Sequence, residues 1–344
     1  MHVPVVNLKG ILRTIFKIFV PLAFGGLLLW ILYRKVDVNA LLEVITHGVR
    51  YDILLFSLLF GLLANIARAY RWKLLINSLD EYPRTLNVIY AVLGNYAVNL
   101  VLPRVGEIWR CGVIKKYDGA SFTKLLGTLF VDRVADTVTV GLITSGIFIF
   151  NFGFFTGFFD RNPALVDGFR AMFNSIWIYV ALVGIAVAVW AVFTYMKNFT
   201  LVAKARHILG NIWEGIKSIW YLKQKGLFIV YTLAIWGGYF LFFYITFYAF
   251  SFTEHLGLSA GLITFTMSSI AVAVPVQGAI GPWHFMVIAT LVCFGVAETD
   301  AAAFALIVHS TQTVWTGLAG LFGVAALPLA NRKQPAVAVG ESNV

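Results

Sequence analysis

The sequence predicts an all-α polytopic membrane protein, with about six full spans plus two re-entrant elements, eight hydrophobic segments in all. Three observations predict it. Hydrophobic residues make up 60% of the 344 residues and charged residues only 12%, against roughly 45–50% and about 25% in soluble domains. The apolar residues fall in runs close to the ~20 residues that a spanning helix needs. The basic residues gather in short stretches between those runs, as the positive-inside rule expects.

This composition excludes a soluble enzyme, a disordered chain and a disulfide scaffold. Two cysteines, Cys111 and Cys293, both in apolar surroundings, exclude a Cys-rich metal site. No metal and no cofactor is expected. The formal net charge is +10, yet there is no Lys/Arg stripe with interleaved aromatics and no nucleic-acid motif. The charge therefore reads as topology, with the membrane and not nucleic acid as partner.

The elements follow in order. Lys9, Arg13 and Lys17 precede the apolar run from Ile18 to Leu32, and Arg34 and Lys35 follow it. No small-residue cleavage site follows, so 15–33 is an uncleaved first span. Further spans are expected at about 51–67, 125–151, 175–196, 226–252 and 300–328. Two stretches are ambiguous: about 86–102, and about 259–295, which is broken by Pro275, Gly278, Gly281 and Pro282. The chain reads as one integral membrane domain, 1–328, with halves 1–152 and 175–328. Residues 329–344 read as a disordered polar tail.

Charge placement resolves the two ambiguous stretches. If 86–102 crossed fully, Arg104, Arg110, Lys115, Lys116, Lys124 and the basic residues of 197–225 would fall outside, against the rule. If 86–102 instead dips in and returns, both basic clusters lie inside. A second re-entrant pair at 259–295, entering from outside, places Arg332 and Lys333 inside as well. Only Arg34, Lys35, Arg50, Arg161 and Arg170 then lie outside. Both termini are expected in the cytoplasm, across a bacterial-type inner (plasma) membrane. The order span, span, re-entrant element, span occurs twice with opposite entry, which is the inverted-topology repeat of secondary transporters. Pro103-Arg104-Val105-Gly106 and Pro275-Val276-Gln277-Gly278 mark the two breaks. Such breaks face protein or a wet cavity.

Candidate functional residues concentrate at the first break. Asn95, Asn99, Arg104, Glu107 and Arg110 lie close together there. On a helix Glu107 is three residues from both arginines. Arg forks match phosphate geometry, so this set is a candidate lipid-phosphate clamp; the alternative is an interfacial helix with snorkelling arginines. Asp132, Arg133 and Asp136 lie within the following span. They are a partner set for Arg104 and Arg110, a proton-coupling carboxylate, or a structural ion pair. Arg68 and Arg71 follow the second span and read as an interfacial anchor, with headgroup docking as the alternative. At the second break, Gln277, Gly278, Gly281 and His284 could approach an anion through exposed amides, while His284 is either a titrating group or a packing residue. His309 and Gln312 share a face of the last span. The aromatic residues of 226–252 read as lipid-facing or packing surface.

Taken together, Asn65-x-x-Arg68-Ala69-x-Arg71-Trp72, Asn99-x-x-x-Pro103-Arg104-x-Gly106-Glu107-x-x-Arg110 and Asp132-Arg133-x-x-Asp136 resemble the membrane region of lysylphosphatidylglycerol synthases and their stand-alone, flippase-like relatives. Gly278-Ala-Ile-Gly281 resembles the family's second glycine-rich element. The matches run from about residue 65 to 328. The resemblance implies a lipid-translocating unit, with aminoacylated phospholipid as the best-known cargo. Two departures stand out. The full synthases carry a soluble aminoacyl-transferase domain after the membrane part, and this sequence ends at Val344, so a non-enzymatic role is expected. The glycine element is commonly followed by Glu, where this sequence has His284. The expected function is translocation of a phospholipid or lipid-linked headgroup. Alternatives are an intramembrane transferase on a lipid carrier, or a non-transporting partner of an envelope-lipid or glycan enzyme.

Overall fold

The computed structural model describes residues 26–332, apart from 28, 35, 36, 103, 196–209, 211, 212, 214–216, 218, 219, 273 and 275. Among the described residues the chain is helical, and its one extended contact is an isolated bridge between Val49 and Phe250. In chain order the helices are α1 (Val38–His47), α2 (Tyr51–Asn77), α3 (Thr85–Val101), α4 (Val105–Asp118), α5 (Phe122–Phe150) and α6 (Phe152–Arg161). They continue with α7 (Pro163–Asn174), α8 (Ile176–Tyr195), α9 (Lys225–Tyr244), α10 (Leu258–Ala271), α11 (Pro282–Cys293) and α12 (Glu298–Ala330). Short 3-10 turns occupy Ile245–Ala249 and Gln277–Ala279.

Four of these are long and apolar enough to cross a membrane: Tyr51–Asn77, Phe122–Phe150, Lys225–Ala249 and Glu298–Ala330. They match four of the six expected spans. A fifth, 175–196, forms α8, and most of the first span lies outside the described residues. Two expected boundaries need correction. The second span does not stop at 67 but continues to Asn77, because the arginines on its last turns find carboxylate partners inside the protein. The last helix continues to Ala330, and Asn331 is buried, its amide bonded to Asn87 and the Leu327 carbonyl. Residues 333–344 of the expected tail lie outside the described residues.

The two ambiguous stretches form helical hairpins. α3 has 17 residues and α4 has 14, so at 1.5 Å per residue they span only about 25 and 21 Å. The local sequence sets the break. Leu102 precedes a proline and takes the extended conformation that a following proline favours (φ −127°, ψ 101°). Arg104 then turns left-handed at φ 64°, and α4 begins at Val105. Gly106 is required at the close approach: a Cβ there would collide with the Asn95 carbonyl oxygen and sit 2.8 Å from Asn99 Oδ1. The second hairpin pairs α10 with α11. Its turn uses positive φ at Gly278 (61°), Ala279 (54°) and Gly281 (94°), and Pro282 starts α11 where its missing N–H costs nothing.

The hairpins enter from opposite ends of the bundle. At one end Asn87 bonds Asp118 and Asn331, Arg84 bonds Asn331, and Lys124 pairs with Glu81. This end therefore holds both termini of the first hairpin, and it carries Lys115, Lys116 and Lys124. At the other end Val49 bridges Phe250, and Ser259 bonds Asn151. This end holds both termini of the second hairpin, with Glu254, Glu298 and Asp300. The two breaks meet within the bundle, where the 277–279 turn packs on α3.

Packing is closest between α3 and α12. Gly317, Gly320 and Gly323 line the contact. A Cβ on Gly320 would lie 2.7 Å from the Ala97 nitrogen, and one on Gly323 would lie 2.7 Å from the Tyr90 carbonyl. In lipid, helix association relies on such close backbone approach, because apolar burial gives little drive. An aromatic core of Phe243, Phe247, Phe250, Trp283 and Phe304 fills the acidic end. A second core, with Trp72, Val88, Ile114 and Leu125, fills the basic end.

Candidate functional site

A buried charge cluster lies where α2, α4 and α5 meet. Helical spacing delivers each group. α2 presents Asn65, Arg68, Arg71 and Trp72; α4 presents Glu107 and Arg110; α5 presents Asp132, Arg133 and Asp136. Asp132 is the centre. Arg71 gives it two hydrogen bonds to Oδ1, from Nε at 3.0 Å and Nη2 at 2.6 Å. Its Oδ2 accepts from Arg110 at 3.0 Å and from Arg133 at 3.2 Å, with Arg68 at 3.7 Å. Asp136 takes Arg68 at 2.5 Å, Arg71 at 2.6 Å and Arg133 at 3.3 Å. Arg71 and Asp132 are fully buried, and Arg110 is 1% exposed.

Neutral groups complete this shell. Tyr239 of α9 accepts from Arg68 Nε at 3.3 Å and donates to Asn65 Oδ1 at 2.7 Å. Tyr96 of α3 shares a hydrogen bond with Tyr239 at 2.9 Å. Thr232 accepts from Arg71 at 3.3 Å. The Arg110 guanidinium lies 4.3 Å from the centre of the Trp72 ring, whose N–H donates to Thr128. Stacking of this kind suits a desolvated cation.

Two features make the cluster more than a closed ion-pair network. First, four arginines (68, 71, 110, 133) face three carboxylates (107, 132, 136), which leaves one positive charge in surplus. Buried N–H groups on Arg110 (Nε, Nη1) and Arg133 (Nε) have no hydrogen-bond partner among the described residues. Buried donors are nearly always paired in proteins. Second, the cluster has an outer edge. The Arg133 side chain is 38% exposed and Glu107, at 3.4 Å from it, is 28% exposed. Beside them in sequence, Ile108, Phe130 and Val134 are exposed and apolar.

The structure rearranges several sequence expectations. Glu107 does not sit between Arg104 and Arg110. It pairs with Arg133, while Arg110 turns inward to Asp132. Arg104 is exposed at the tip of the first hairpin and makes no ion pair among the described residues. The reason is the break itself: α4 starts at Val105, so Arg104 is not on the helix that carries the other two. Arg68 and Arg71 are not interfacial anchors. They are buried in the cluster, because Asp132 and Asp136 lie opposite them. Asp132 partners Arg110 as one reading expected, but not Arg104. Asn95 and Asn99 brace the hairpin: Asn99 donates to Asn95 and accepts from the Gly106 N–H at 2.8 Å.

The second break forms a separate group. His284 Nδ1 accepts from the Gly281 N–H at 3.4 Å, and its ring lies 4.6 Å from that of His309. His309 Nε2 bonds the Gly278 carbonyl at 2.9 Å, and Gln312 donates to the Phe242 carbonyl at 2.8 Å. His284 and His309 thus hold the turn at Gly281 and Gly278, while Gln312 ties α12 to α9. The Gln277 side chain lies outside the described residues. No group of three or more His, Cys, Asp or Glu suited to a metal occurs among the described residues.

Sequence reasoning missed Tyr96 and Thr232, and read Tyr239 among the lipid-facing or packing aromatics, whereas it bonds Arg68 and Asn65. The available signal was Thr232 and Tyr239 seven residues apart on one face of an otherwise apolar helix.

Fold and cluster together define a multi-pass helical membrane protein with a charged site inside the bundle. The family model described as the lysylphosphatidylglycerol synthase TM region matches residues 18–320. The chain belongs to that family. No curated protein and no solved structure gave a match.

Proposed function

We propose that this protein translocates a phospholipid or lipid-linked headgroup between membrane leaflets, and that the arginine cluster receives the phosphate. One observation carries the reading: a buried cation cluster, one charge in surplus and with unpartnered N–H groups, reaches an apolar surface through Arg133. A phosphate needs N–H donors in fork geometry, and acyl chains need the apolar rim. The two hairpins, entering from opposite ends and meeting within the bundle, support an alternating-access path of the kind built from inverted repeats. The basic end is the cytoplasmic end by the positive-inside rule, and the membrane is the bacterial-type inner membrane. The protein acts without covalent chemistry on the lipid.

The test is leaflet exchange of fluorescent phospholipids in liposomes that hold the purified chain. Wild type is expected to accelerate exchange, and Arg133→Gln to abolish most of it while eluting as a folded species. Exchange that ignores Arg133 removes the cluster from the path. No exchange with anionic, zwitterionic or aminoacylated lipids rejects translocation of those cargos. Covalent change of a lipid would establish the transferase reading, and activity only with a co-purified envelope-lipid or glycan enzyme would establish the partner-subunit reading.

A further inference from the structure

Glu107 differs from the other two carboxylates of the cluster. Asp132 and Asp136 are buried and each meets at least three arginines. Among the described residues Glu107 pairs with Arg133 alone, at 3.4 Å, with both side chains partly exposed. Charge-assisted N–H to oxygen bonds are usually about 2.7–2.9 Å, so this contact is loose. Partly exposed pairs are weak and exchange readily. The backbone beneath it is fixed, since the Gly106 N–H is bonded to Asn99 and Gly106 packs on the Asn95 carbonyl. Only the Glu107 side chain needs to move for Arg133 to take another anion.

Building on the translocation reading, we propose that Glu107 is a tethered place-holder for the ligand's phosphate. Its carboxylate holds Nη1 of the partly exposed Arg133 until a phosphate oxyanion displaces it. The charge count fits. Without Glu107 the cluster carries two surplus positive charges, so a phosphodiester that takes its place leaves the same single surplus charge that Glu107 leaves. The displaced carboxylate then returns to solvent or to the headgroup's own cation. Glu107 acts here as a positioning residue that sets the affinity for the phosphate and the ease of its release.

The experiment uses the full chain in maltoside detergent, which has no phosphate. Carbodiimide and glycine ethyl ester label free carboxylates, and mass spectrometry reads the yield at Glu107. Added probes are phosphatidylglycerol, diacylglycerol and inorganic phosphate, and bound phosphatidylglycerol is quantified in parallel. With phosphatidylglycerol, labelling is expected to rise about two- to fivefold, the range that release of a weak ion pair gives. Diacylglycerol is expected to leave it unchanged, and Arg133→Gln to make it high regardless of lipid. Glu107→Gln is expected to bind phosphatidylglycerol more tightly by a similar factor; a purely structural Glu107 would lose binding instead. Phosphatidylglycerol bound through Arg133 with unchanged labelling of Glu107 overturns the place-holder and leaves the translocation reading standing. Failure to bind phosphatidylglycerol overturns the place-holder for this lipid and rejects phosphatidylglycerol as the cargo. A rise with inorganic phosphate equal to that with the lipid keeps the exchange and overturns the lipid as its source.

Discussion

Arg71 donates two hydrogen bonds to Oδ1 of Asp132 across 61 positions of sequence, and both side chains are fully buried. The pair joins α2 to α5 at the centre of the molecule. Three other arginines reach the same aspartate, so Asp132 is where the charge of three helices is neutralised.

Removing one partner of this pair leaves a buried charge uncompensated. Arg71→Met is expected to destabilise the protein by about 3–5 kcal/mol, the usual cost of breaking a buried ion pair. Asp132→Asn should cost a similar amount. The double substitution should cost less than the sum of the two, since the surviving charge goes with its partner. Thermal unfolding in detergent measures all three. Additive losses would show that the two residues act independently.

The first hairpin depends on Gly106. Gly106→Ala places a methyl group against the Asn95 carbonyl, which is backbone and cannot swing aside. The expected cost is about 1–3 kcal/mol, as for other overpacked sites. Gly237 has open space around it, so Gly237→Ala is the control and should be neutral or slightly stabilising in a helix. Equal melting temperatures for the two variants would contradict the close approach.

Arg104 holds φ at 64°, a region that suits glycine. Arg104→Gly should therefore keep or raise stability, by up to about 1 kcal/mol after the added freedom of the unfolded chain is counted. Arg104→Ala keeps the strained backbone and should gain nothing. A clear fall in melting temperature for Arg104→Gly would mean that the arginine side chain itself holds the tip. If Arg104→Gly melts normally, any loss of lipid exchange in it reports the missing charge and not a broken hairpin.

The sequence by itself determined the class and the punctuation. Composition and run length gave a helical membrane protein, because lipid leaves backbone polar groups no partner but the helix's own. Charge placement separated the two hairpins from the full spans, and their termini lie at opposite ends of the bundle. Pro103, Gly278 and Gly281 marked the breaks, since a proline or a positive φ is a local property; Gly106 is needed for its close approach to Asn95. The residues of the cluster were also visible as types: Glu107, Arg110, Asp132, Arg133 and Asp136 as candidate site charges, and Arg68 and Arg71 as an interfacial anchor or docking pair. Only the tertiary structure decided their pairing. Spacing of three or four reports neighbours on one helix, and so it suggested Glu107 with Arg104 and Arg110. The actual partners come from other helices, Arg133 for Glu107 and Asp132 for Arg110. Tyr239 and Tyr96 join the cluster only because α9 and α3 pack beside α2. Which charges neutralise each other depends on how helices stand side by side, and that is set by close contacts such as Gly320 on Ala97, which lie more than 200 residues apart in the chain.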